Sequence, residues 1–127
     1  MSFVSLLLVA VGGAIGSVCR YLVGIGAGRL LGTGFPFGTL IVNITGSFVM
    51  GLFIEMLAAK FNGSESLRLF VAVGILGGFT TLSSFSLDSV VLFERGAIVA
   101  SAAYVGASII LSLAALVAGL QLVRVFA

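Results

Sequence analysis

Apolar residues run along this chain in four long stretches, each interrupted only by short clusters of glycine, proline or charge, and this spacing predicts four membrane-crossing helices. A helical span takes about 20 apolar residues, and every stretch is long enough. The first span covers Phe3 to Ile25, the second Phe37 to Lys60, the third Leu67 to Glu94 and the fourth Ala97 to Val123. The segment Gly24 to Gly38 gathers Gly28, Arg29, Gly32, Thr33, Gly34 and Pro36, so it reads as a loop, with Pro36 suited to a first helical turn. Lys60 to Arg68, with Asn62, Gly63, Ser64 and Glu65, reads as a second short loop, and Glu94-Arg95-Gly96 as a tight turn. Residues 1–127 are then a single four-span domain, all-α, with no soluble part.

The few polar positions inside the spans recur at helical spacing. Gly12 and Gly16 make a small-residue face on the first span, where another helix can approach closely. On the second, Thr39, Asn43 and Ser47 fall at i, i+4 and i+8 and share one face. On the fourth, Ser101, Tyr104, Ser108 and Ser112 form a hydroxyl ladder. Such groups in hydrocarbon need partners, so these faces either hydrogen-bond to neighbouring helices or line a polar path.

The third span is different. It holds Gly77-Gly78-Phe79-Thr80-Thr81-Leu82-Ser83-Ser84-Phe85-Ser86-Leu87-Asp88, in which the paired glycines weaken a helix and the hydroxyls compete for its backbone. A break in the third helix is expected here. Irregular backbone at bilayer depth is tolerated only where it is buried in protein or lines a wet cavity, which makes this stretch a candidate site. Leu82, Phe85 and Asp88 follow at intervals of three and can lie close on one face. Asp88 is either a solvated helix-end charge or a member of the site. Arg20, toward the end of the first span, either snorkels to the headgroups or has a conformational or vestibule role.

Composition places the chain in the membrane: 61% of residues are hydrophobic and 8% charged, where a soluble domain is about a quarter charged. The first segment lacks an early Lys or Arg and runs past signal-peptide length, so it is expected to remain as a helix. A net charge of +2 is spread over single cations at helix ends and forms no basic patch, so no nucleic-acid partner is expected. Cys19 is the one cysteine and there is no histidine, which argues against a disulfide, a metal cluster or an activated nucleophile. Cys19 reads as a small buried apolar residue, and the chain as no enzyme. Lys60, Arg68 and Arg124 lie on the side of the termini, against Arg20, Arg29 and Arg95 on the other. The positive-inside rule works through a bias in this count, and three against three has none. Both orientations are expected to insert, and an inverted pair related by a two-fold axis in the membrane plane would bury the polar faces.

Gly12-Gly13-Ala14-Ile15-Gly16 with Arg20-Tyr21, Gly38-Thr39-Leu40-Ile41-Val42-Asn43 with Gly46-Ser47-Phe48, and the stretch from Gly77 to Asp88 together resemble the Fluc (CrcB) fluoride channel family. The likeness covers essentially the whole chain. It implies an antiparallel, dual-topology homodimer in the inner (plasma) membrane, with two pores that passively export fluoride from the cytoplasm. It also implies a central structural sodium ion (Na+) held by backbone carbonyls, which would be those of Gly77 and Thr80 here. Asn43 matches the family's pore asparagine and Phe85 the second of its two pore phenylalanines. Thr39, Tyr104, Ser108 and Ser112 match its polar track, and Arg20 its arginine near the end of span one. The family pattern Thr-Phe-Ser-Thr-Phe-Ser is Thr81-Leu82-Ser83-Ser84-Phe85-Ser86 in this chain, so Leu82 occupies the ion-path position of the first phenylalanine without its electropositive ring edge. Asp88 stands where glutamate is usual.

The chemistry of the residues agrees in kind with an anion path. Fluoride is small and strongly hydrated, so a pore must replace its water with donors yet hold it weakly enough for exit. Asn, Thr, Ser and Tyr donate without charge, and aromatic edges carry the positive part of the ring quadrupole. Two rival functions stand beside this one. A small multidrug-type exporter needs a carboxylate deep in the membrane, and the first span has none. In a non-transporting membrane assembly subunit the polar faces would only join helices.

Overall fold

The computed structural model describes residues 1–126, and helices account for nearly all of them. We number them α1 (Phe3–Leu31), α2 (Phe37–Lys60), α3 (residues 65–79), α4 (Leu82–Glu94) and α5 (Ile98–Phe126). With α3 and α4 forming one span, Glu65–Glu94, four segments are long and apolar enough to cross a membrane.

The second span keeps its expected limits, Phe37 to Lys60, and the fourth shifts by only a residue at its start and three at its end. The first does not keep its limits. Helix α1 continues past Ile25 to Leu31, so Gly24, Gly26 and Gly28 are helical and the loop shrinks to residues 32–36. Glycine is tolerated in membrane helices where another backbone comes close. Gly38 opens α2 against Gly24, where an added Cβ would lie 3.0 Å from the Gly24 Cα. The helix stops at Gly32, whose φ of 84° lies in the left-handed region and whose N–H bonds back to the Gly28 carbonyl at 3.1 Å.

Two close pairings build the bundle, α1 with α3 and α2 with α5, and α1–α2 and α4–α5 contacts join them. Both pairings are made backbone to backbone. A Cβ on Gly12 would strike the Phe70 carbonyl and one on Gly16 the Ile75 carbonyl, while Gly74 and Gly78 face α1 in return. The small-residue face of Gly12 and Gly16 therefore packs on α3. Gly51 and Gly119 do the same for α2 and α5, against the Leu116 and Phe48 carbonyls. An ion pair of 3.1 Å between Glu55 and Arg124 closes the α2–α5 seam at the end that carries the termini.

Within α3, Arg68–Leu76 is a π-helix, an uncommon form that favours functional sites and that no sequence pattern here announced. Little of the apolar surface is used by the chain itself. Only 11–22% of each span's most apolar window is buried, so the remainder must meet lipid or another protein. Cys19 is part of that outer surface, exposed rather than buried as expected, because α1 gives its own chain little beyond Gly12, Gly16 and Ala27.

Candidate functional site

Helicity from residue 65 ends at Phe79; Thr80 and Thr81 are extended, with φ/ψ of −86°/158° and −154°/122°, and Leu82 starts the next helix. Gly77 and Gly78 lie on the helical side of this interruption, not in it. Gly78 is small for packing: a Cβ there would come within 2.6 Å of the Gly13 carbonyl.

Apart from the Thr80 carbonyl, the polar groups of the extended pair are satisfied from three directions. Thr80 N–H and Oγ1 both donate to the Leu76 carbonyl, at 3.0 and 2.8 Å. Thr81 N–H donates to Asn43 Oδ1 at 2.8 Å, and Asn43 Nδ2 donates to the Thr81 carbonyl at 3.0 Å. Asn43 thus replaces the bond a continuous helix would have made from Thr81 to Gly77. Thr81 Oγ1 accepts from Ser84 N–H at 3.1 Å and caps α4. Arg20 reaches inward, Nε donating to the Gly78 carbonyl at 3.1 Å, where a cation suits the end of a helix. Gly46, one turn beyond Asn43, has no Cβ because Thr80 Cγ2 and the Phe79 ring occupy that space.

Around this junction lie three adjoining cavities. One, of about 260 Å³, is a groove bounded by Asn43 and Ser47 of α2, Thr80, Thr81, Leu82 and Phe85, and Ser108, Ile109 and Ser112 of α5. A second, of about 340 Å³, contains Arg20, Thr39, Thr81 and Ser84. The third, of about 310 Å³, is formed by the 32–38 turn with Thr39, Asp88 and Arg95. Thr81 is common to the first two and Thr39 to the last two, so the polar positions are strung along the bundle.

Tyr104 is wholly buried beside this series. Its hydroxyl donates to Asp88 Oδ2 at 3.1 Å, which makes Asp88 a member of the polar cluster rather than a solvated helix end. The ring stacks obliquely on Phe85, with centroids 5.4 Å apart, and meets Phe35 edge-on at 5.6 Å. Phe35 escaped the sequence reading; its signal is only an aromatic before Pro36. The hydroxyl ladder of α5 divides in two. Ser101 donates to the Ser89 carbonyl at 2.8 Å, whereas the Oγ atoms of Ser108 and Ser112 are buried without a partner. The structure therefore gathers Asn43, Leu82, Phe85, Ser108 and Ser112 in one groove, sets Thr39 and Arg20 in the neighbouring cavity and places Tyr104 behind Phe85. Gly77 lies outside all three, exposed on the single chain.

A bundle of four membrane-length helices with neutral donors between them has the build of a multi-pass membrane protein. Residues 7–120 match the family described as CrcB-like protein, Camphor Resistance (CrcB), and the chain belongs to that family. It is 56% identical over 125 residues to the fluoride-specific ion channel FluC 1 of Nitrobacter hamburgensis, covering 98% of this chain and 99% of the relative. The FluC of Agrobacterium fabrum is 59% identical over 121 residues, 95% and 97% of the two chains. That of Rhodospirillum centenum is 55% identical over 119, or 94% of each. The family is one of ion channels and not of enzymes, and the chain is a multi-pass protein of the plasma membrane.

Proposed function

We propose that this chain is a fluoride-selective channel that passively exports fluoride from the cytoplasm, working as an antiparallel, dual-topology homodimer with one pore along each chain's groove. The observation that carries the reading is the groove where Ser108 Oγ and Ser112 Oγ, buried and unpartnered, face Asn43 and Phe85. A buried hydroxyl without a partner is costly and awaits a ligand that accepts hydrogen bonds. Fluoride is such a ligand. The relatives named as fluoride-specific channels support the same ion. The Asp88 carboxylate would repel an anion, but it lies in the cavity beyond Tyr104, shares that cavity with Arg95 and already accepts from the tyrosine.

The inverted dimer is supported by the balanced cation count and by the apolar surface that the single chain leaves uncovered. A structural sodium ion fits the chemistry at the interruption. Gly77 loses its usual helical donor to Asn43, is exposed on the single chain, and with Thr80 offers carbonyl oxygen, the ligand a monovalent cation takes at a helix break. Such an ion would supply positive charge shared between the chains, and the Gly77 and Thr80 carbonyls would hold it.

Efflux from liposomes carrying the purified protein, followed with fluoride and chloride electrodes, tests the reading. Fluoride is expected to leave and chloride to stay. If both pass alike, or neither passes from folded dimer, the channel reading fails and that of an assembly subunit takes its place.

A further inference from the structure

Hydroxyls on membrane helices usually donate to the carbonyl four residues back, and Thr45, Ser86 and Ser89 do so here at 2.7–3.0 Å. Ser47 makes no such bond among the described residues. Its hydroxyl, half-buried, lines the same groove as the buried and unpartnered hydroxyls of Ser108, only 5% exposed, and Ser112. Ser108 and Ser112 stand on α5. Ser47 stands on α2, one turn beyond Asn43 and on the other side of the groove. Asn43 itself is largely engaged: its Oδ1 and one Nδ2 hydrogen are taken by Thr81.

We propose that Ser47 is a further residue of the ion path, donating its hydroxyl to the anion across from Ser108 and Ser112 after the ion has passed Phe85 and Asn43. The inference rests on the fluoride-channel reading and extends it. Donors from one helix alone would coordinate a desolvated anion on one side only, whereas Ser47 completes a ring of neutral donors around it. Because the hydroxyl bonds to no protein group, its removal takes nothing from the fold.

The test compares Ser47→Ala and Ser47→Thr with the unaltered protein in the fluoride-efflux assay, alongside thermal melting. Ser47→Ala is expected to slow fluoride efflux roughly three- to tenfold, the weight of one neutral hydrogen bond, with its melting temperature unmoved. Ser47→Thr keeps the hydroxyl and is expected to retain more of the rate. In a Cys19→Ser background, Ser47→Cys is expected to react with a small methanethiosulfonate, and the reaction to block efflux. Unchanged efflux in Ser47→Ala, or efflux that survives complete modification of the Ser47→Cys thiol, would overturn the assignment while the channel stands. A lowered melting temperature in Ser47→Ala would overturn it in favour of a packing role. If the unaltered protein passes no fluoride, the channel reading fails, and the Ser47 assignment with it.

Discussion

Asn43 uses both ends of its amide on one residue, Thr81, and this pairing gives the side chain two roles to separate. Asn43→Ala leaves the Thr81 N–H and carbonyl without partners, at about 1–3 kcal/mol for each buried group. Both the melting temperature and fluoride efflux are expected to fall, with chloride still excluded; a rise in chloride efflux would show that Asn43 selects the ion. Leu82 is the opposite kind of position. It lines the groove yet is 76% exposed on the single chain, so Leu82→Phe can add a ring without repacking the bundle. Efflux is expected to hold or rise, because a ring edge adds positive quadrupole beside the groove, and a marked loss would argue against an ion path along Leu82. Phe85→Ala is expected to cost more than Asn43→Ala, since the Phe85 ring also packs on Tyr104.

The helices are set by the glycines between them. Gly12→Ala and Gly16→Ala each push a methyl into an α3 carbonyl, while Gly13 has open space within 4 Å of where its Cβ would be. Crowding of this kind costs typically about 1–3 kcal/mol, and it should also disturb the junction that α1 supports through Arg20. Gly13→Ala, by contrast, gains helix propensity of about 1 kcal/mol. Thermal melts and size-exclusion profiles are expected to separate the pair from the control; similar behaviour of all three would argue against the close α1–α3 approach. The Gly12–Gly16 spacing was legible in sequence because four residues is one turn of any helix. The end of α1 was not, since its glycines have the composition of a loop, whereas the helix runs through them to Leu31 and Gly38 packs on it at Gly24.

For the whole molecule, the proposed orientation and assembly rest on charge and are tested through it. A reporter on the C-terminus is expected on both sides of the membrane, and two added lysines in the Lys60–Arg68 loop are expected to collect the termini in the cytoplasm. A single orientation for the unaltered chain would remove the inverted dimer. Prolonged removal of sodium is expected to slow fluoride efflux and lower the melting temperature, with potassium failing to replace it. Full activity after sodium removal would dispose of the ion at Gly77 and Thr80.

Span number, and the spacing that puts Thr39 on one helix face with Asn43 and Tyr104 on one with Ser108, were legible in sequence alone, because apolar length and helical period are local properties. Which hydroxyls stay unpartnered was not local. Ser101 and Ser108 look alike on the ladder, but only Ser101 has the Ser89 carbonyl across from it. The position of the interruption was likewise decided between elements: Gly77-Gly78 reads as the weak point, yet α1 packing keeps it helical, and the amide of Asn43 makes extended backbone affordable at Thr80 and Thr81. Arg20 turned inward for the same reason, since the Gly78 carbonyl came within its reach only when α1 and α3 met glycine to glycine.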